Sequence, residues 1–275
     1  MSTSFCLVFI SIFIQTCSLL PANESVIYLK AGKSESPIKK SELSQISQTQ
    51  NFQVREIAKQ VTVRVLTEPG AGSGVIISRK GKTYTVLTCQ HVVAESKLDK
   101  YSIMSADGKI YPARLKSLPQ LGDLDLALLE FDSVDSYQVV KLGNSNILSA
   151  GSVVYAAGFP NYNTIDKDNI EETFDWGTKA FKSTSGKVDL FLKKRSLPEG
   201  YSLGYTNEIK LGMSGGPVLD KKGELVGING RLKYPIQGID VFTFADGKKP
   251  SVEEFEKMEA LSWAIPIVKF RALAE

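Results

Sequence analysis

The hydrophobic pattern changes character along the chain. Phe5 to Leu20 is apolar almost without interruption and uncharged, whereas Asn23 to Gln50 is polar, rich in Ser, Lys and Gln, with little period. Phe52, Ile57 and Ala58 then stand among charges up to Gln60, a spacing that predicts a short helix. From residue 61 the period drops to two. Val61, Val63 and Val65 alternate with Thr62 and Arg64. Further strands are predicted over Gly74–Ile77, Thr83–Thr88, Tyr101–Met104, Lys109–Ala113 and Leu124–Phe131, with turns at Lys80-Gly81 and Asp107-Gly108. A second run follows Gly151: Ser152–Ala157, Gly186–Leu192, Gly216–Leu219, Glu224–Asn229 and Trp263–Ile267. Ser251 to Ala260 reads as a helix, with Ser251 as its cap and Glu254 at the capping-box position. Many short strands with glycine turns and few helices indicate an all-β barrel or sandwich. Two β-rich halves of similar size, about 61–140 and 150–270, suggest two packed barrels.

The apolar N-terminal run is short for a membrane span and fits a secretory leader. Residues 1–22 are read as a signal peptide, with a retained membrane anchor, a buried core element or a lipid-modified Cys17 as alternatives; no Lys or Arg precedes the run, and Leu20 is bulky where a leader prefers a small residue. Residues 23–50 form a polar linker or arm, and 51–275 the folded domain. Export to a secreted or periplasmic location follows from this reading. With Cys6 and Cys17 in the leader, only Cys89 remains, so no intramolecular disulfide is expected. The 275 residues, 43% hydrophobic with a net charge of +3, fit a soluble globular protein. No basic stripe points to nucleic acid.

One histidine, His91, occurs in the whole sequence. An imidazole, with an ordinary pKa of about 6.5, is the usual carrier of protons at neutral pH. His91 follows the predicted strand Thr83–Thr88, and Asp125 opens another apolar strand, with Asp123 two residues earlier as its competitor. Gly212-Met213-Ser214-Gly215-Gly216-Pro217 surrounds a serine with glycines, which free backbone N–H groups to converge on one point. The same residues match Gly-x-Ser-x-Gly, the nucleophile elbow of α/β-hydrolases. That elbow turns into a helix and precedes its histidine; here Pro217-Val218-Leu219 continues as a strand and no histidine follows Ser214.

The order His91, Asp125, Ser214 resembles that of trypsin-like (chymotrypsin-fold) serine proteases, in particular disulfide-free bacterial and cyanobacterial members and the protease domain of the HtrA group. Thr88-Cys89-Gln90-His91-Val92-Val93, Asp125-Leu126-Ala127-Leu128-Leu129 and Gly212 to Leu219 resemble the family's three motifs. Gly72 to Ile77 and Glu224 to Ile228 resemble its flanking strands. The resemblance spans roughly residues 60 to 270 and does not include a PDZ domain. It implies two packed six-stranded antiparallel β-barrels with a few short helices. It also implies a serine endopeptidase acting on polypeptides through an acyl-enzyme. Ser214 is then the nucleophile, His91 the base, Asp125 its orienter, and the Gly212 and Ser214 N–H groups the oxyanion hole.

The sequence departs from digestive members at Met213, where they carry an aspartate that receives a new N-terminal amine; no such zymogen switch is expected. Glu208, six residues before Ser214, and Asn229 are the candidates for the substrate pocket, with an exposed loop acid as the alternative for Glu208. A protease-like binding module without turnover and an esterase using the same residues are the competing functions. No cofactor is required, and neither a second histidine nor a cysteine pair is present to build a usual zinc site. Nothing in the pattern sets an oligomeric state.

Overall fold

The structure, a computed structural model, describes residues 40–68, 70–94, 96, 100–166 and 169–274. The expected leader lies outside these residues, as does most of the arm. The chain divides into two compact units, residues 1–48 and 49–275. Helix α1 (Lys40–Val61) is longer than the helix read at Phe52–Gln60 and takes in the end of the polar arm. Its sequence contains neither Gly nor Pro, and Ser, Gln and Lys impose little helix penalty, so weak periodicity did not prevent a helix. Val54, Ala58 and Val61 bury its last turns.

The second unit holds two closed barrels. The first is built from β1 (Thr62–Thr67), β2 (Ala71–Lys80), β3 (Thr83–Thr88), β4 (Tyr101–Met104), β5 (Ile110–Lys116) and β6 (Ala127–Asp132), in the order β1-β2-β3-β6-β5-β4. Alternation along β1 turns Val63 and Val65 into one core with Val86, Ile103 and Leu129. Between β3 and β4 lies a single turn of helix, α2 (Gln90–Ala94), anchored by buried Val92 and Val93.

The second barrel comprises β7 (Val153–Gly158), β10 (Lys182–Phe191), β11 (Leu203–Tyr205), β12 (Pro217–Asp220), β13 (Leu225–Arg231) and β14 (Ser262–Pro266), in the order β10-β11-β14-β13-β12-β7. A two-stranded ribbon, β8 (Tyr162–Thr164) with β9 (Ile170–Glu172), projects between β7 and β10. All barrel pairings are antiparallel. The expected double six-stranded barrel is therefore the fold. Helix α3 (Val252–Glu259) begins with the predicted reciprocal cap, Ser251 Oγ accepting from the Glu254 N–H and the Glu254 carboxylate from the Ser251 N–H. Ile267, read as the end of a strand, instead starts helix α4 (Ile267–Ala274). Among the described residues no helix is long and apolar enough to cross a membrane.

Candidate active site

The two barrels meet where β2 faces the loop before β12. The Ser73 N–H donates to the Ser214 carbonyl (2.8 Å), and Thr88 Oγ1 donates to the Ser73 carbonyl (2.7 Å). Gly215 fills the narrowest point. A Cβ there would fall 2.1 Å from the Ser73 carbonyl oxygen and 2.3 Å from Thr88 Oγ1, and its φ of +83° suits glycine. The serine loop thus packs against the Thr88-Cys89 segment that leads directly into His91.

His91 sits on α2, with its side chain 48% exposed, and Asp125 lies in the turn before β6, 6% exposed. Two hydrogen bonds join them. The His91 backbone N–H donates to Asp125 Oδ1 (2.8 Å), and His91 Nδ1 lies 2.6 Å from Asp125 Oδ2. A carboxylate held on Nδ1 leaves Nε2 as the basic nitrogen of the neutral ring. Burial pushes the Asp125 carboxyl up, but the hydrogen bond and charge of His91, with a further bond from Tyr201, outweigh it and hold the group below its ordinary value. Asp123 is exposed, two residues before the acid that faces His91.

Tyr201 carries no motif and was not legible as a site residue. Its buried hydroxyl donates to Asp125 Oδ2 at 2.5 Å. The same segment reaches Asp125 through the backbone, the Asp125 N–H donating to the Glu199 carbonyl (3.0 Å). Arg231 lies 4.6 Å over the Tyr201 ring and pairs with Glu199 at 3.1 Å. A clasp from the second barrel therefore closes on an acid carried by the first.

Ser214 is 8% exposed, and its hydroxyl donates to the Gly230 carbonyl at 3.4 Å. Gly212 has φ +94°, and among the described residues neither its N–H nor that of Ser214 donates to a backbone carbonyl. Two free N–H groups flanking a serine are what an oxyanion requires. Met213 is buried, its sulfur accepting from the Lys210 N–H (3.4 Å).

Glu208 is exposed and lines a cavity of about 210 Å³ with Tyr162, Lys182, Lys210 and Met213. Two lysines beside one glutamate give that cavity a positive lining. Asn229 is fully buried; its amide donates to the Ala157 carbonyl (3.0 Å) and accepts from the Tyr205 hydroxyl (2.5 Å). Its side chain acts as a strut behind the serine loop, and its carbonyl receives the Gly215 N–H (2.8 Å).

Donor atoms of Cys89, His91 and Asp125 lie within 4.8 Å of one another, the one grouping of metal-ligand type among the described residues. Cys89 is fully buried, and burial first, then the Asp125 charge, pushes its thiol well above the ordinary value. A protonated thiol is a poor ligand.

The profile of the family described as trypsin-like peptidase domain matches residues 72–228. Curated relatives include the protein named serine protease HTRA2, mitochondrial, of Drosophila ananassae, 30% identical over 211 residues that take in 74% of this chain and 44% of that protein. The Drosophila virilis protein of the same name is 30% identical over 160 residues, covering 58% and 34%. The Drosophila erecta protein is 26% identical over 211 residues, covering 74% and 44%. The chain spans less than half the length of these relatives.

Proposed function

The chain belongs to the trypsin-like peptidase family, and from that premise we propose that it is a serine endopeptidase whose catalytic residues are His91, Asp125 and Ser214. The observation that carries the reading is the paired contact of His91 with Asp125 through both backbone N–H and ring Nδ1. Such a couple supports one tautomer, with Nε2 as the basic nitrogen.

In this reading Ser214 Oγ attacks the scissile carbonyl carbon while His91 Nε2 takes its proton. The carbonyl oxygen becomes an oxyanion received by the Gly212 and Ser214 N–H groups. The C–N bond then breaks, His91 returns the proton to the leaving amine, and an acyl-Ser214 remains. Water, deprotonated by His91, attacks the acyl carbon and releases the new carboxylic acid and free Ser214. Asp125 keeps the imidazolium in register and offsets its charge. Donors of this kind are typically worth about 10²–10³ in rate each. The partner is a polypeptide, and no step asks for a metal or organic cofactor. Export, to a secreted or periplasmic location, is part of the same reading.

The test is covalent labelling by a fluorophosphonate, followed by peptide mapping, with casein cleavage measured beside it. The expected adduct is on Ser214, and Ser214→Ala removes both label and cleavage, the latter by on the order of 10⁶. Equal casein cleavage by wild type and Ser214→Ala would overturn the assignment.

A further inference from the structure

Arg64, in the middle of β1, points away from the barrel core that holds its neighbours Val63 and Val65. It is fully buried and forms no ion pair among the described residues. A buried charge without a counter-charge is costly, and nothing in barrel closure asks for one. Burial lowers the guanidinium pKa. Nη1 donates to the Thr173 carbonyl (2.8 Å), while Nη2 donates to Thr173 Oγ1 (3.2 Å) and Asn161 Oδ1 (3.4 Å). Nε is left without a partner, and Phe174 covers the group at 5.1 Å.

The residues that Arg64 holds lead to the serine loop. The Thr173 N–H donates to the Asn161 carbonyl (3.0 Å), and Asn161 Nδ2 ties to the Ala71 carbonyl (2.9 Å). With Asn161 fixed on three sides, its own N–H donates to the Leu211 carbonyl at 2.8 Å. Directly opposite Arg64 in the β1–β2 register stands Ser73. Its hydroxyl donates to the Gly212 carbonyl (2.7 Å) and accepts from the Phe159 N–H (2.8 Å). Its N–H donates to the Ser214 carbonyl (2.8 Å).

Three carbonyls of the loop, those of Leu211, Gly212 and Ser214, are therefore bonded on one side. The Leu211 carbonyl shares its peptide plane with the Gly212 N–H, so tying it presents that donor to the other side, while the Ser73 bonds to the Gly212 and Ser214 carbonyls fix the peptide planes that follow each of the two donor residues. Rotation of the Leu211–Gly212 peptide would break the Asn161 bond, turn the carbonyl into the oxyanion position and withdraw one donor. Met213, uncharged and buried, offers no ion pair of its own to prevent this. We propose that Arg64 and Ser73 are positioning residues that keep the oxyanion hole assembled, Ser73 by direct contact and Arg64 through Asn161. The proposal rests on the assignment of Ser214 as nucleophile.

The test is steady-state hydrolysis of p-nitrophenyl acetate by the full chain, carrying Arg64→Met, Arg64→Ala or Ser73→Ala, with rates expressed per folded molecule from thermal unfolding. Expected for each variant is a fall in kcat of about tenfold or more, because a donor displaced by roughly an ångström loses most of its effect. KM stays within about twofold and the pH profile is unchanged, since the His91–Asp125 couple is not touched. Millimolar methylguanidinium restores part of the lost kcat in Arg64→Ala and none in Ser73→Ala. Should Arg64→Met fail to fold, Ser73→Ala and Arg64→Lys decide, the lysine variant losing kcat because it cannot span Thr173 and Asn161 together. Unchanged kcat per folded molecule in these variants, or a shifted pH profile, overturns the proposal. A wild type that neither turns over nor takes a fluorophosphonate at Ser214 overturns the underlying assignment instead.

Discussion

The Tyr201 hydroxyl donates to Asp125 Oδ2 at 2.5 Å, onto the same oxygen that faces His91 Nδ1. The two residues come from different barrels, so the acid that orients the imidazole is itself held across the seam. Arg231 over the Tyr201 ring and the Glu199 carbonyl on the Asp125 N–H complete this clasp.

Tyr201→Phe keeps the ring and its contact with Arg231 and removes only the hydroxyl. Hydrogen bonds to charged groups are worth about 1.5–3 kcal/mol, so a stability loss in that range is expected by denaturant titration. Asp125 keeps its bonds to His91, so kcat falls only modestly, by about tenfold. No change in either quantity would show that the clasp contributes nothing.

The Asp125 carboxyl titrates below its ordinary value, chiefly against the pull of burial and because of His91. Its unfolded counterpart titrates near 3.9, so on acidification the unfolded chain takes up the proton first. The stabilisation is complete above about pH 5 and is lost as pH falls through the folded value. Unfolding free energy of the wild type should therefore decline from pH 5 to pH 3 more steeply than that of Asp125→Asn, while Tyr201→Phe shifts the decline to higher pH. Parallel curves for wild type and Asp125→Asn would contradict this.

Gly215→Ala places a methyl group against the Ser73 carbonyl and Thr88 Oγ1 at a φ of +83°. Both partners are part of the seam, so neither yields without opening it. A loss of at least about 2 kcal/mol is expected, with activity falling further than stability because the loop carries Ser214. Thermal unfolding together with fluorophosphonate labelling measures both; a fully stable and fully labelled variant would contradict the packing.

His91 and Ser214 were legible as candidates because the chain holds one imidazole, and because Ser214 stands among Gly212, Gly215 and Gly216 ahead of a strand. Asp125 against Asp123 was not, since both precede the same apolar run. Only the fold separates them, by turning the His91 N–H and the Glu199 carbonyl onto Asp125. The strands of both barrels were read from β-branched alternation, but β11 (Leu203–Tyr205) is three residues buried on both faces and has no period to detect. Arg64, Ser73 and Tyr201 left no signal because their partners lie far away in sequence and act mostly through backbone carbonyls. Arg64 even occupied the polar position of an alternating strand, where an arginine normally reads as solvent-exposed.

Cys89 adjoins this site without taking part in the proposed chemistry. Its thiol is fully buried, donates to the Asn229 carbonyl at 3.1 Å and lies 3.9 Å from the Tyr201 hydroxyl. Burial and the Asp125 charge hold it protonated at neutral pH, and the thiolate is the reactive and metal-binding form. Iodoacetamide should therefore leave the native protein active and Cys89 unmodified, and alkylate Cys89 only after unfolding in urea. A sulfonyl fluoride should inactivate under the same native conditions. A chelator such as EDTA should leave activity unchanged, because a metal held by Cys89, His91 and Asp125 would require the thiolate, the form that burial disfavours. Native alkylation at the rate of a free cysteine, or loss of activity in EDTA that zinc restores, would show that Cys89 belongs to the working site.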